Sequence, residues 1–397
     1  MKVSKAAIVW LIAFVILATS VDGCANSPTS TITWISSFGG INRDEAYSVQ
    51  ETIDKGYIIT GYTESHGDGN ADVYVVKTDR SGNKQWSRTF GSPEYDEGYS
   101  VQQTSDGGYI IAGYTYSEEN GEDIYLIKLS SSGSEQWSRT LGGPEDDRGY
   151  SVQQTTDGGY IVAGDTWSDK NETDVYLIKT NPNGEEEWSR TFGDLKSDFG
   201  KSVQQTSDAG YIIAGETYSY GAGESDVYLI KTDAKGNELW SRTFGGSSYD
   251  DGSYAEQTTD GGYIIVGVTK SYGIGVGNVY LIKTDSEGAE QWSHTFSGSG
   301  AAGGTSVHQT KDGGYILVGG TSTSIFSGNV YLIKTDPEGN EDWSRTFGGS
   351  KVSYGSSVQQ TQDGGYIIAG CIYFSTTHLF DIYLIKTDAQ GKVSTRE

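Results

Sequence analysis

The sequence is poor in the residues that cross-link, kink or catalyse. Two cysteines, Cys24 and Cys371, stand in 397 residues, so a disulfide framework is excluded, as is a zinc site built on thiolates. Only five prolines and one methionine occur. The four histidines, His66, His294, His308 and His378, are scattered, and no His-Glu-x-x-His, Gly-x-Ser-x-Gly or phosphate-loop pattern occurs. Basic residues are scarce: 28 Lys and Arg face 53 Asp and Glu, for a net charge of -25. Binding phosphate backbones needs clustered cations, so a nucleic-acid partner is excluded. Only one long apolar run is present, Ala6–Ala18, preceded by Lys2 and Lys5. It is too short to span a bilayer comfortably and has the proportions of a secretory signal, predicted here over residues 1–25. Val21-Asp22-Gly23-Cys24 resembles a lipoprotein box, which would attach a lipid to Cys24 and supply the only membrane contact. Ordinary cleavage after Ser20 or Ala25 is the alternative.

What is abundant is glycine (56), tyrosine (28) and tryptophan (9), a composition suited to short strands joined by tight turns. It is organised as a repeat. Gly-Gly-Tyr-Ile-Ile-Ala-Gly at 107–113 returns at 364–370 and, with Val for one Ile, at 158–164. A tryptophan recurs at Trp34, Trp86, Trp137, Trp188, Trp240, Trp292 and Trp343, at intervals of 51 or 52 residues. Each unit reads as four strands, a to d. In residues 99–143 these are 99–104, 109–115, 123–129 and 136–141, with a Ser-Asp-Gly-Gly turn between a and b. Strands b and c are nearly continuous apolar runs, as expected of strands covered on both faces. Small sheets stacked radially around an axis meet that requirement.

The last unit stops after strand c, with Thr395 where its tryptophan should stand, while an unaccompanied strand d lies at 31–40. The expected fold is therefore an all-β, seven-bladed β-propeller, residues 26–397 forming one domain. Each blade has four antiparallel strands, and the N-terminal strand completes the last blade. Lys231-Thr-Asp233-Ala-Lys-Gly236-Asn-Glu-Leu-Trp240 resembles the docking motif of quinoprotein-like (PQQ-type) propellers, with the Asp-to-Trp spacing one residue shorter. The resemblance covers residues 31–392 and extends to cell-surface repeat proteins of methanogenic archaea and bacteria. It implies that each Trp packs between neighbouring blades. The residues that would hold a quinone have no counterpart here, so no cofactor is carried over.

Function is sought where the repeat departs from itself. The a–b and c–d hairpins are nearly invariant, whereas the d–a and b–c loops, which share one face, vary. Units two to four carry Tyr116, Trp167 and Tyr218 just after strand b, with Asp147, Asp165, Asp198 and Glu216 nearby. Aromatic faces beside carboxylates suit sugar rings or a protein surface. Asp68, Asn70 and Asp72 place oxygens at alternate positions, the pattern of a Ca²⁺ loop without the glycine that follows. Asn171-Glu172-Thr173 is a glycosylation triplet. The seven lysines ending strand c, such as Lys231, are expected beside turn carboxylates such as Asp233. Together these features predict an exported, cell-surface, non-enzymatic binding or scaffold module. Its partner would be a surface glycan or protein, and the chain would act as a monomer or as part of a surface assembly. The alternative is an enzyme of quinoprotein or polysaccharide-lyase type using acidic residues near the axis.

Overall fold

The computed structural model describes residues 32–394 except 120, 168–171, 274–275, 325–326 and 375–378, and without the side chains of 323, 324 and 327. The predicted signal with Cys24, Asn171 of the glycosylation triplet and His378 lie outside the described residues. Among those described there is no helix. Twenty-eight strands form seven four-stranded antiparallel sheets. The first blade runs Asp44–Glu51, Tyr57–Thr63, Asp72–Thr78 and Lys84–Phe90. The seventh pairs Ser353–Gln360, Tyr366–Phe374 and Leu379–Thr387 with the N-terminal strand Trp34–Phe38. That strand lies in register with strand c of the blade, Trp34 opposite Lys386 and Phe38 opposite Ile382. The ring is therefore closed by the two ends of the propeller, as the divided repeat predicts.

Strands b and c of the first blade are buried along their whole length, whereas the outer strand d is half exposed. Successive residues of b and c enter opposite faces. Ile58 joins a cluster with Val101 and Tyr109 of the second blade, and Ile59 one with Ile367 and Leu384 of the seventh. The core is thus not central; it is seven hydrophobic seams, one between each pair of blades. Each seam is fastened from outside by the recurring tryptophan. Trp86 stands edge-on to Tyr109 of the next blade at 5.9 Å, and Trp34 to Tyr57 at 5.6 Å. A glycine of the next blade's c–d turn lies over each indole. At Gly133 (φ +78°) an added Cβ would come within 2.8 Å of Trp86.

The recurring lysines take a different partner from the one expected. Lys231 Nζ lies 3.0 Å from Asp208 in the a–b turn, not beside Asp233 of the c–d turn, and also donates to the Thr232 carbonyl. Asp233 instead accepts from the Lys235 and Asn237 amides of its own turn. Antiparallel b–c pairing sets Tyr211 against Thr232, bringing the end of strand c to the a–b turn. The same pair recurs in every blade, from Lys77–Asp54 to Lys386–Asp363. Burial opposes the charge on Asp106, but the Thr104 hydroxyl, the Lys128 ammonium and the Gly108 amide outweigh it and hold its pKa at about 2.

Candidate functional site

Strand a of every blade carries a β-bulge, seen as a register shift between Ala46 and Ser48 in the first blade and between Gly98 and Ser100 in the second. A bulge leaves one residue unpaired and re-aims its side chain. Here the extra residues are Tyr47, Tyr99, Tyr150, Lys201, Ser253, Thr305 and Ser356, and all seven line an axial cavity of about 240 Å³. One backbone irregularity, repeated seven times, thus selects the residues around the axis. Large aromatic groups come from the first three blades, a cation from the fourth, and small hydroxyls from the last three.

The large side chains form a belt. Tyr47 stacks on Tyr99 at 4.8 Å, and Tyr99 meets Tyr150 edge-on at 5.0 Å. The hydroxyls of Tyr47, Tyr99 and Tyr114 all donate to Glu97, at 3.2, 2.9 and 3.2 Å. Tyr354 donates to Glu45 at 2.5 Å, and Arg43 pairs with the same carboxylate. Lys201 lies 2.6 Å from Asp251 and 3.7 Å from Glu216. Asp165 is 2 % exposed and stands opposite Arg148 in the strand register. Burial pushes its pKa up to about 7, although Arg148, the Tyr150 hydroxyl and Lys201 pull the other way.

The folded pKa of Asp165 exceeds the value of about 3.9 expected in the unfolded chain, so the native state keeps a proton that the unfolded state has lost. Its contribution to stability is full below about pH 4 and is lost as pH rises toward 7. Asp165→Asn keeps the neutral shape. It should flatten this dependence and stabilise the protein above pH 7 by on the order of 2–4 kcal/mol. Urea unfolding at pH 5 and pH 8 measures both effects; an unchanged difference between the two would show that the carboxyl is ionised throughout.

The belt is interrupted at the sixth blade. Where others carry Glu97 or Arg148, Asp165 or Glu216, this blade has Gly303 and Gly320. The missing side chains leave a cavity of about 400 Å³, walled by Val268, Ala302 and Val352 and flanked by Lys270 and Tyr354.

The residues singled out from the sequence as ligand contacts separate into three groups. Asp147 and Asp198 present nothing to a ligand: both are 0 % exposed and close their own d–a loops. Asp147 accepts from the Gly143 amide at 2.6 Å; Asp198 accepts from the Asp194 amide and from the Ser219 hydroxyl at 2.6 Å. Asp44 and Asp250 do the same in their blades. Asp165 and Glu216 approach the axis and share Lys201 as a neighbour. Tyr116, Trp167 and Tyr218 stand at the rim, each strand b end being clamped by its backbone N–H to a d–a loop carbonyl. Trp167 is 46 % exposed, whereas Tyr218 packs 6.5 Å from Tyr249. At the suggested cation loop, Asp72 accepts from the Gly69 amide and the Asn70 side chain donates to Glu94. Among the described residues no three His, Cys, Asp or Glu side chains are grouped to hold a metal ion. Cys371 is buried, and burial pushes its thiol pKa up.

The bulge residues escaped the sequence pattern. Their signal is a single position, just after the strand a glycine or alanine, that changes from Tyr to Lys to Ser or Thr while the residue after it is Ser in all but the fifth blade. A second missed feature is collective. Among the described residues eleven large hydrophobic side chains are exposed, and eight of them stand on the face of the d–a and b–c loops. These are Ile41, Tyr95, Trp167, Leu195, Tyr220, Tyr249, Tyr272 and Val276.

A family model described as a domain of unknown function (DUF5122) beta-propeller matches residues 104–134 and 155–185. The regulatory protein FlaEY of Caulobacter vibrioides is 26 % identical over 215 residues, 47 % of this chain and 22 % of that protein. The chain therefore spans about a fifth of that relative's length. Among solved structures, the Pan2 WD40 domain of Neurospora crassa superposes with a TM-score of 0.55 at 11 % identity, covering 92 % of this chain and 98 % of that one. Sqt1 from Chaetomium thermophilum gives 0.51 at 10 % identity, covering 92 % and 87 %. At such identities the likeness concerns the propeller fold alone.

Proposed function

We propose that this chain is an exported, non-enzymatic binding module that holds a protein partner on the face of its d–a and b–c loops. The observation that carries this reading is the gathering of eight of eleven exposed large hydrophobic side chains on that one face. Exposed apolar groups concentrated on one side of a soluble domain mark interaction surfaces. Three of the eight, Ile41, Leu195 and Val276, are aliphatic. Sugars stack on aromatic rings, so aliphatic groups among them favour a protein over a glycan. The cavity at the sixth blade offers a recess for one protruding side chain of the partner, the kind of pocket in which binding energy concentrates. Export is supported by the basic and apolar segment over residues 2–18.

Trp167→Ala combined with Leu195→Ser should weaken capture of a partner from cell-envelope extracts by tenfold or more. Leu239→Ser, an exposed change on an outer strand, should leave it unaltered. Both proteins should melt like the wild type, because exposed substitutions shift stability by about 0.5 kcal/mol or less. Equal capture by the double variant and the wild type would remove the face from consideration. Glycan-array binding lost with Trp167→Ala but kept with Leu195→Ser would replace the protein by a sugar. Bound quinone detected by absorbance, or turnover of an acidic polysaccharide, would replace the binding module by an enzyme.

A further inference from the structure

The axial cavity carries a second set of groups, which the loop-face reading does not use. Toward the a–b hairpin end of strand a, Gln50, Gln102, Gln153, Gln204 and Gln359 occupy one repeat position. Each side-chain Oε1 accepts a backbone N–H from the next blade: Gln103 at 2.6 Å, Gln154 at 2.7 Å, Gln205 at 2.5 Å, Gln257 at 2.7 Å and, across the closure, Glu51 at 2.7 Å. A backbone N–H bonds only to the oxygen, so the orientation of every amide is set by its neighbour. The five NH2 groups are left without a hydrogen-bond partner among the described residues, and all five glutamines line the cavity.

Beside them stand Ser48, Ser100, Ser151, Ser202, Ser306 and Ser357, also lining the cavity. Their oxygens accept the next blade's N–H, as Ser48 does from Val101 at 3.3 Å and Ser151 from Val203 at 3.1 Å, leaving the hydroxyl hydrogens to donate. His308 takes the glutamine position in the sixth blade and turns Nδ1 to Glu256 at 2.8 Å, which leaves Nε2 unengaged. Among the described residues no carboxylate lines this cavity; Glu256, at the glutamine position of the fifth blade, is turned to His308 and the Gln309 amide.

We propose that the axial cavity binds a small oxyanion through this ring of neutral amide and hydroxyl donors. The five fixed NH2 groups are donors only, so the group they satisfy is one rich in acceptor oxygens. Lys201 is held by Asp251 and Glu216, which places recognition on the neutral donors.

Glu256 supplies a native precedent for the test. It occupies the glutamine position in the fifth blade and accepts the Gln309 amide with one carboxylate oxygen. Gln102→Glu and Gln153→Glu therefore keep the acceptor that joins the blades and replace only the NH2. Calorimetric titration with inorganic phosphate, and separately with acetate, should show binding of at least one by the wild type. Each variant should weaken it by about tenfold or more, the expected effect of losing a donor to a charged ligand and gaining a like charge. Glu256→Gln should tighten it. Unaltered melting temperatures would show that the ring is intact. Failure of the wild type to bind either anion, or equal affinity in Gln102→Glu and the wild type, would overturn the proposal.

Discussion

Deletion of residues 31–40 should lower the thermal unfolding midpoint by roughly 10 °C or more. The segment contributes the fourth strand of the seventh blade, in register with Leu379–Thr387 over five residue pairs. It also contributes Trp34, which is 8 % exposed, packs on Tyr57 and donates its indole N–H to the Arg80 carbonyl. Ile32 and Phe38 pack against the same seam. Truncating a buried tryptophan to alanine alone removes about 3–5 kcal/mol. Removing the strand further uncovers the backbone of strand c as a free edge, which invites pairing with other chains. Trp34→Ala should therefore reproduce a large part of the destabilisation without the aggregation, whereas the deletion should show both. Differential scanning fluorimetry and light scattering separate the two effects. A deletion variant that melts with the wild type and stays monodisperse would show that the ring does not depend on this closure.

Much of this architecture is legible in the sequence because its determinants are local. The Asp-Gly turns and the apolar runs of strands b and c are each contained in a few residues, and seven copies at a near-constant Trp interval multiply the signal. The division of one blade between the termini follows from counting tryptophans. What the sequence does not reveal depends on cross-chain geometry. Asp208 and Asp233 are both turn aspartates, and Asp233 is nearer Lys231 in sequence; only the b–c pairing brings Asp208 to the lysine. Asp147 and Asp198 have the chemistry of ligand contacts, but burial at the start of strand a commits them to their own loops. The residues facing the axis are hidden for a further reason. A strand with one extra residue still reads as a strand, so Tyr99 and Lys201 look like ordinary members of an alternating pattern.

Gly113→Ala should destabilise the protein by at least about 4 kcal/mol, placing it among the rare severe substitutions. The bulge in strand a drives the Glu97 carbonyl toward strand b, and a Cβ on Gly113 would lie 1.7 Å from that oxygen. The obstacle is backbone, so no rotamer change relieves it. Every blade has the same glycine with the same obstruction, from Gly61, 1.8 Å from the Glu45 oxygen, to Gly370, 2.0 Å from that of Tyr354. The a–b turn provides the contrast. Gly107 has φ of +80°, a left-handed conformation, but nothing lies within 4 Å of its added Cβ. Gly107→Ala should cost only about 1 kcal/mol. The protein has already made that substitution elsewhere: Lys55 (φ 65°) and Ala209 (φ 66°) hold the equivalent turn position in the first and fourth blades. Urea unfolding of the two alanine variants compares the effects directly. Equal and small losses would show that strand b can move away from the bulge. A large loss confined to Gly113→Ala would mean that the glycine four residues after each strand b tyrosine exists to accommodate the bulge. The same glycine would then be what allows Tyr99 and its six counterparts to face the axis, so an invariant residue of the repeat would sustain a variable position.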